Sequence, residues 1–279
     1  MYTESSVELK SDFYSRYGTA SGVLYFERVG LPFALLKGED SVLGFAASCG
    51  VRAYGRRCGD VIKVLDSESN VCDVRFGGSG TGAQILYKTD IPGFGRCDET
   101  VRYTVKKLKA RMGLCAVPRP DSDPAALCDA YGSGGWCAYV RGAEARSVPL
   151  PLDGYNVIVM RLRRNGGRRP SEEGLRCYNE GEDRRAAAAA EALRRCRTEV
   201  LFDMMNESEY AIEKLIPVSR EARAAAEAAR DIGGIAAARI CGSGLLCVTE
   251  SARTDSAAHA LRETFCREMG YYAGIVVVK

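Results

Sequence analysis

The run Gly233 to Glu250, GGIAAARICGSGLLCVTE, constrains the chain most. Two glycines that stop a helix precede an Arg-bearing apolar stretch, the small-residue loop Gly242-Ser243-Gly244 and a second apolar stretch. The segment therefore reads as helix exit, strand, loop and strand. Ahead of it, Ser219 stands as N-cap to REARAAAEAARD, with Gly233-Gly234 at the C-terminal cap. Beyond it, Asp255 to Met269 reads as a helix closed by Gly270, and Gly274 to Val278 as a last strand. An α-β-loop-β-α-β order predicts an α+β fold in which helices cover a sheet.

With 279 residues, 46% of them hydrophobic and 27% charged, the chain has material for one large or two ordinary cores. Thirty-nine Lys and Arg against 36 Asp and Glu give a net charge of only +3, which argues against a nucleic-acid binder and for a small-molecule or protein partner. The twelve cysteines include no CxxC pair and fall mostly in apolar stretches. Buried free thiols in a reducing compartment are expected, with neither zinc site nor disulfide scaffold. MYTESSVELKSD has no signal-peptide pattern, and no run of eighteen apolar residues follows, so a cytoplasmic protein without a membrane span is expected. The sole histidine, His259, lies in the last helix without triad spacing and is read as structural or exposed.

Upstream, Val7 to Tyr17 patterns as a short amphipathic helix ended by Gly18, and Val23 to Phe26 as a strand. Val51 to Val64 suggests two strands turned at Gly59-Asp60. The glycine-rich Phe76 to Gly82 leads into strand-like Ala83 to Tyr87 and has no GKS or GKT ending, so it reads as a hairpin loop and not as a phosphate cradle. Asp98 to Met112 is a helix with an acidic first turn, basic residues towards its end and Val101, Val105, Leu108 and Met112 on one stripe. Two or three strands are expected between Gly135 and Leu162, a solvated basic turn over Arg161 to Arg169, and one long helix from Arg184 to Met205.

Several of these segments resemble the galactokinase family, within the superfamily of galactokinase, homoserine, mevalonate and phosphomevalonate kinases. Ala237 to Cys247 resembles the late motif GaRmtGaGFGGc, keeping Arg239, Gly242 and Gly244 but reducing FGG to Leu245-Leu246. Met204 to Glu209 resembles LMneSH, with Glu209 in place of the histidine. Val29 to Ser41, VGLPFALLKGEDS, falls on the signature PGRVNLIGEHTDY: Gly30 and Asp40 remain, while Leu31, Phe33, Lys37 and Gly38 stand where the motif has Arg, Asn, Glu and His. Ala126 to Ser133 resembles GiMDQyas with Asp129 on the aspartate, and Tyr178-Asn179-Glu180 resembles YNeR with its arginine displaced to Arg184 by Gly181-Glu182-Asp183.

The resemblance implies a two-domain α+β kinase fold with a trimmed N-terminal domain, over 1–120 and 121–279. It assigns Asp129 as the catalytic carboxylate, Asp40 and Tyr178 as sugar-binding residues, and Arg239, Gly242, Ser243 and Gly244 as nucleotide-binding residues, with ATP and Mg2+ as cofactors of an active enzyme. Asp129 is equally an ordinary aspartate near a helix end. The family's serine-rich phosphate loop, GLSSSA, has no counterpart between Met112 and Ala125, and Pro92-Gly93-Phe94-Gly95 resembles its PxGxG opening only in outline. Replacing four sugar-binding polar groups removes hydrogen bonds worth roughly 1–3 kcal/mol each when buried. Two readings stay open: a degenerate, non-catalytic member that binds a sugar, nucleotide or protein, with Leu31 and Phe33 lining an apolar cleft; or an active small-molecule kinase in which Gly78 to Thr81 or Gly93 to Gly95 replaces the loop.

Overall fold

A computed structural model describes residues 4–19, 21–68, 72–76, 81–90, 97–116, 118, 124–163, 169–241 and 244–278. The elements in chain order are α1 (Glu4–Tyr17), β1 (Tyr25–Lys37), β2 (Ser41–Arg57), β3 (Val61–Asp66), β4 (Cys72–Phe76), β5 (Ala83–Thr89), α2 (Cys97–Arg111) and α3 (Pro124–Tyr131). There follow β6 (Trp136–Arg141), β7 (Glu144–Pro149), β8 (Tyr155–Arg161), α4 (Glu172–Arg194), α5 (Thr198–Leu215), α6 (Arg220–Arg230), β9 (Ile235–Cys241), β10 (Gly244–Glu250), α7 (Thr254–Met269) and β11 (Ile275–Val278). They form two compact units, Met1–Leu31 with Cys49–Ala126, and Pro32–Ser48 with Leu127–Lys279. The chain thus sends the stretch from Pro32 to Ser48 into the second unit long before the boundary expected near residue 120.

In the first unit the strand order is β4-β3-β5-β2, with β3 parallel and β2 antiparallel to β5. Alternation along the strands sends Ala53 and Ile85 to one face, where Leu108 of α2 and Met112 just beyond it cover them. Tyr54 and Leu86 point to the other face, under Leu9 and Phe13 of α1. Gly18 ends α1 with φ 73° and a bond from its N–H to Tyr14 O of 2.8 Å. The buried Arg56 guanidinium then donates to the Tyr17 and Gly18 carbonyls, a cation at the negative end of the helix.

Two expected hairpins are absent. Across Gly59-Asp60, β2 does not fold back on β3, because the Cys58 N–H reaches Gly82 O at 3.0 Å and the Gly82 N–H reaches Gly59 O at 2.9 Å. Those bonds bring the entry to β5 against the connection, and β5 occupies the place between β2 and β3. For the same reason the glycine-rich segment before Gly82 joins strands that are not neighbours, since β4 pairs with β3. Residues 77–80 of that segment lie outside the described residues.

In the second unit the first four residues of β2 pair with the β6–β7 hairpin, and a four-stranded sheet runs β11-β8-β10-β9. All but the last residue of β10 is buried, as a central strand covered on both faces requires. Ala222, Ala225 and Ala229 of α6 and Leu261 and Phe265 of α7 pack with Ile158, Met160, Leu245 and Cys247, which is the helix-covered layer expected from the Gly233–Glu250 run. Ser219 Oγ accepts from the Ala222 N–H at 3.1 Å, and Gly270 closes α7 with φ 78°.

The single long helix expected over 184–205 is two. Helix α4 starts after Ser171, whose Oγ accepts from the Gly174 N–H, and ends at Arg194; α5 starts at Thr198. Between them Cys196 has φ 55°, and the N–H groups of Arg195, Cys196 and Arg197 turn back onto Ala192 and Leu193 carbonyls. The turn lets α5 fold back along α4, so that both bury apolar faces, Ala189 and Leu193 on one and Leu201 and Met205 on the other. Cysteine burial is also less general than expected. Cys128, Cys137 and Cys247 are buried, but Cys58, Cys115, Cys177 and Cys196 are exposed.

Candidate functional site

A dense polar arrangement in the second unit is built where side chains of α4, α5 and β9 meet the backbone of β1 in one cluster. Arg239 projects from β9 with a side-chain exposure of 5%. Its Nε–H donates to Ser208 Oγ at 2.7 Å, Nη1 to Leu35 O at 2.9 Å and Ala34 O at 3.3 Å, and Nη2 to Tyr178 Oη and Glu182 Oε2, both at 2.9 Å. A guanidinium has five N–H donors, and all five have protein acceptors here. Glu182, fully buried, also receives the Arg185 Nε–H at 2.7 Å and the Lys37 backbone N–H at 3.3 Å. Burial pushes the Tyr178 phenol up, against the pull of the adjacent Arg239, so Tyr178 is a neutral partner.

Next to this cluster stands the turn from β1 to β2, where the galactokinase resemblance places sugar-binding residues. Its backbone is held by Asp183 of α4. Asp183 Oδ1 accepts from the Ser41 N–H at 2.8 Å and the Ser41 hydroxyl at 2.7 Å, and Oδ2 from the Asp40 N–H at 3.4 Å. A Cβ at position 38 would overlap the Asp183 carboxylate and lie 2.9 Å from Asn179 O. Only glycine fits beneath that carboxylate. The glycine read as a lost histidine is therefore a packing requirement of α4.

Among the residues expected at a site, Tyr178 and Arg239 are together in the buried cluster, and Asp40 is exposed in the adjoining turn. Gly244 is buried at the first position of β10, whereas Gly242 and Ser243 lie outside the described residues. Asp129 is half-buried in α3, with its carbonyl accepting from Ser133 Oγ at 3.4 Å. Leu31 and Phe33, expected to line an apolar cleft, are instead buried, 2% and 6% exposed, with the Phe33 ring 5.9 Å from that of Phe45. That observation removes the argument for an apolar ligand drawn from those two side chains. His259 is exposed on α7.

Glu182 and Asp183 were not singled out by the sequence reading. Their signal was present in the three residues, Gly181-Glu182-Asp183, that separate Tyr178-Asn179-Glu180 from Arg184. Being helical, they place two successive carboxylates on the turn side of α4, one for Arg239 and one for the β1–β2 turn.

In the first unit, β5 is followed by Asp90, which is tied to Gly50 by two bonds of 2.8 Å and paired with Arg52. Residues 91–96, including Gly93-Phe94-Gly95, lie outside the described residues, and α2 begins at Cys97. A strand, a glycine-containing connection and a helix start is the order a phosphate-binding loop needs. The first turn of α2, however, carries Asp98 and Glu99, which favour the helix but repel a polyphosphate at its N-terminus. Among the described residues no three His, Cys, Asp or Glu side chains gather so as to hold a metal ion. No described helix is long and apolar enough to cross a membrane.

No protein-family model and no curated protein sequence matches the chain. Solved structures do. Galactokinase from Lactococcus lactis, crystallised with galactose, superposes with a TM-score of 0.83 at 13% identity, over 99% of this chain and 98% of that one. Homoserine kinase from Cytophaga hutchinsonii gives 0.64 at 12% identity, over 94% and 96%. Mevalonate pyrophosphate decarboxylase from Streptococcus pyogenes gives 0.67 at 11% identity, over 94% and 98%. At such identities the likeness establishes the fold. Because proteins named as kinases and as a decarboxylase share it, the reaction has to be argued from the site.

Proposed function

We propose, taking the galactokinase-like fold as premise, that this protein is a non-catalytic member of that fold which binds a small molecule, sugar or nucleotide, or a protein partner. The observation that carries the reading is the β1–β2 turn. The Asp40 and Ser41 N–H groups and the Ser41 hydroxyl are held by Asp183 of the same chain, and Gly38 leaves no room for a side chain that could reach a sugar hydroxyl. Asp40 remains exposed at the turn, but Lys37 and Gly38 stand where the resemblance has the Glu and His that would share a sugar with it. The described residues likewise do not fit an ATP–Mg2+ pair. Arg239 has no donor left for a phosphate, and Asp98 and Glu99 stand in the first turn of α2, the helix that follows Gly93-Phe94-Gly95 in the chain.

A second reading has one observation in its favour. One residue separates Gly93-Phe94-Gly95 from α2, and Asp129 lies on α3, so an active ATP-dependent sugar or small-molecule kinase with a remodelled loop would draw on that helix start and, by the resemblance, on Asp129 as the carboxylate that activates the nucleophile. Thermal-shift titration with Mg-ATP and Mg-ADP separates the two. A ligand at about a hundred times its Kd adds roughly 2.7 kcal/mol to stability. No shift at millimolar nucleotide supports the non-catalytic reading. A clear shift, followed by phosphorylation of a sugar that is lost in Asp129→Ala, overturns it.

A further inference from the structure

Away from the β1–β2 turn, α5, α6 and β9 enclose a cavity of ≈ 250 Å³. Its walls include Ala229 of α6 and Ala237 and Ala238 of β9, all buried, and Tyr210 and Arg230 mark its mouth, both exposed. The one carboxylate that lines it belongs to Glu209, whose residue exposure is only 5%. One oxygen of that carboxylate accepts the Ile240 N–H at 2.6 Å, on the open edge of β9. The other has no hydrogen-bond or ion-pair partner among the described residues, yet it is not one of the fully enclosed polar atoms that lack a partner. A buried carboxylate with one oxygen directed at protein and one left open on a small cavity is a built acceptor.

Neither nearby arginine is bonded to that second oxygen. Arg230 pairs with Glu213 at 2.7 Å, and Arg239 is occupied by Glu182. The alanine walls offer apolar surface, and the Asn206 amide that also lines the cavity is engaged by the backbone of β9, donating to Ala236 O and accepting from the Ala238 N–H, both at 3.1 Å, so the missing partner has to arrive with the ligand. Charge-assisted donors complement a desolvated carboxylate better than neutral ones. We propose that this cavity binds a small primary ammonium compound with a short apolar body, its ammonium group donating to the second oxygen of Glu209. The site is independent of the β1–β2 turn and of whether any phosphoryl transfer survives. Burial raises the Glu209 pKa, opposed by the Ile240 N–H, by Arg239 on β9 and by Arg230 on α6, and reinforced slightly by Glu213 on α5. Cation binding therefore strengthens as pH rises from the acid side through that raised value.

The test uses the full chain and n-butylamine, n-butanol and butyrate at matched ionic strength, read by calorimetric titration and by thermal shift at two pH values. Butylamine is expected to bind at least about tenfold more tightly than butanol or butyrate, the ratio that 1.4 kcal/mol of charge-assisted bonding gives. Glu209→Gln, which keeps an acceptor for the Ile240 N–H, should lose that tenfold preference. Ala236→Leu, at a half-buried lining position, should plug the cavity and abolish binding while leaving Glu209 in place. Equal affinity for butanol, preference for butyrate, undiminished butylamine binding in either variant, or no butylamine binding by the wild-type chain overturns the proposal.

Discussion

Gly38 lies under the Asp183 carboxylate with no space for a β-carbon. Gly38→Ala should therefore destabilise by roughly 1–3 kcal/mol, the usual cost of forcing extra volume into a packed site. In an Asp183→Ala background the penalty should shrink, because one of the two overlapping groups is gone; strict additivity in urea unfolding would refute the coupling. Glu209 makes a different prediction. Its carboxyl is raised by burial above the ordinary value of 4.5, so its contribution to stability is complete below pH 4.5 and is lost as pH rises through the folded value. Glu209→Gln removes that loss. The difference in Tm between variant and wild type should move in favour of the variant between acid and neutral pH, and a flat difference would count against the burial argument.

At the scale of elements, Arg239 joins β9 to β1, α4 and α5 through five hydrogen bonds. Arg239→Met leaves Glu182 buried with only Arg185 as counter-ion, and the expected loss is about 3–5 kcal/mol in denaturant unfolding. Arg239→Lys should rescue little, since one ammonium cannot reach acceptors on three elements. The α4–α5 turn predicts a gain: Cys196→Gly relieves a left-handed conformation at φ 55° and should stabilise by about 1 kcal/mol. That turn also shows what the sequence hid. The chain from Arg184 to Met205 has no Gly or Pro, and its break comes from the packing of α5 back on α4, which no local residue announces. Helices with capping residues were legible to within a residue or so, as Ser219 and Gly270 show. Strand pairing was not, because Gly59 and Gly82 mark turns equally well whether a neighbour or a stranger strand is joined.

For the whole molecule, the fold was legible in ordered motif remnants, since glycines and apolar strands persist where tolerance is lowest. The site was legible only as losses. Leu31 and Phe33 looked like a changed binding surface and turned out to be core, and Gly38 looked like a deletion of chemistry and turned out to be filled by a neighbour. Asp183 sits on α4, anchored by the same helix whose Glu182 holds Arg239, and so it stands permanently beside the turn. A tethered group acts as a ligand at an effective concentration of about millimolar or higher. On the proposed reading, any sugar reaching the β1–β2 turn would thus meet a competitor that can be neither diluted nor dialysed away, as at a receptor saturated by its own chain.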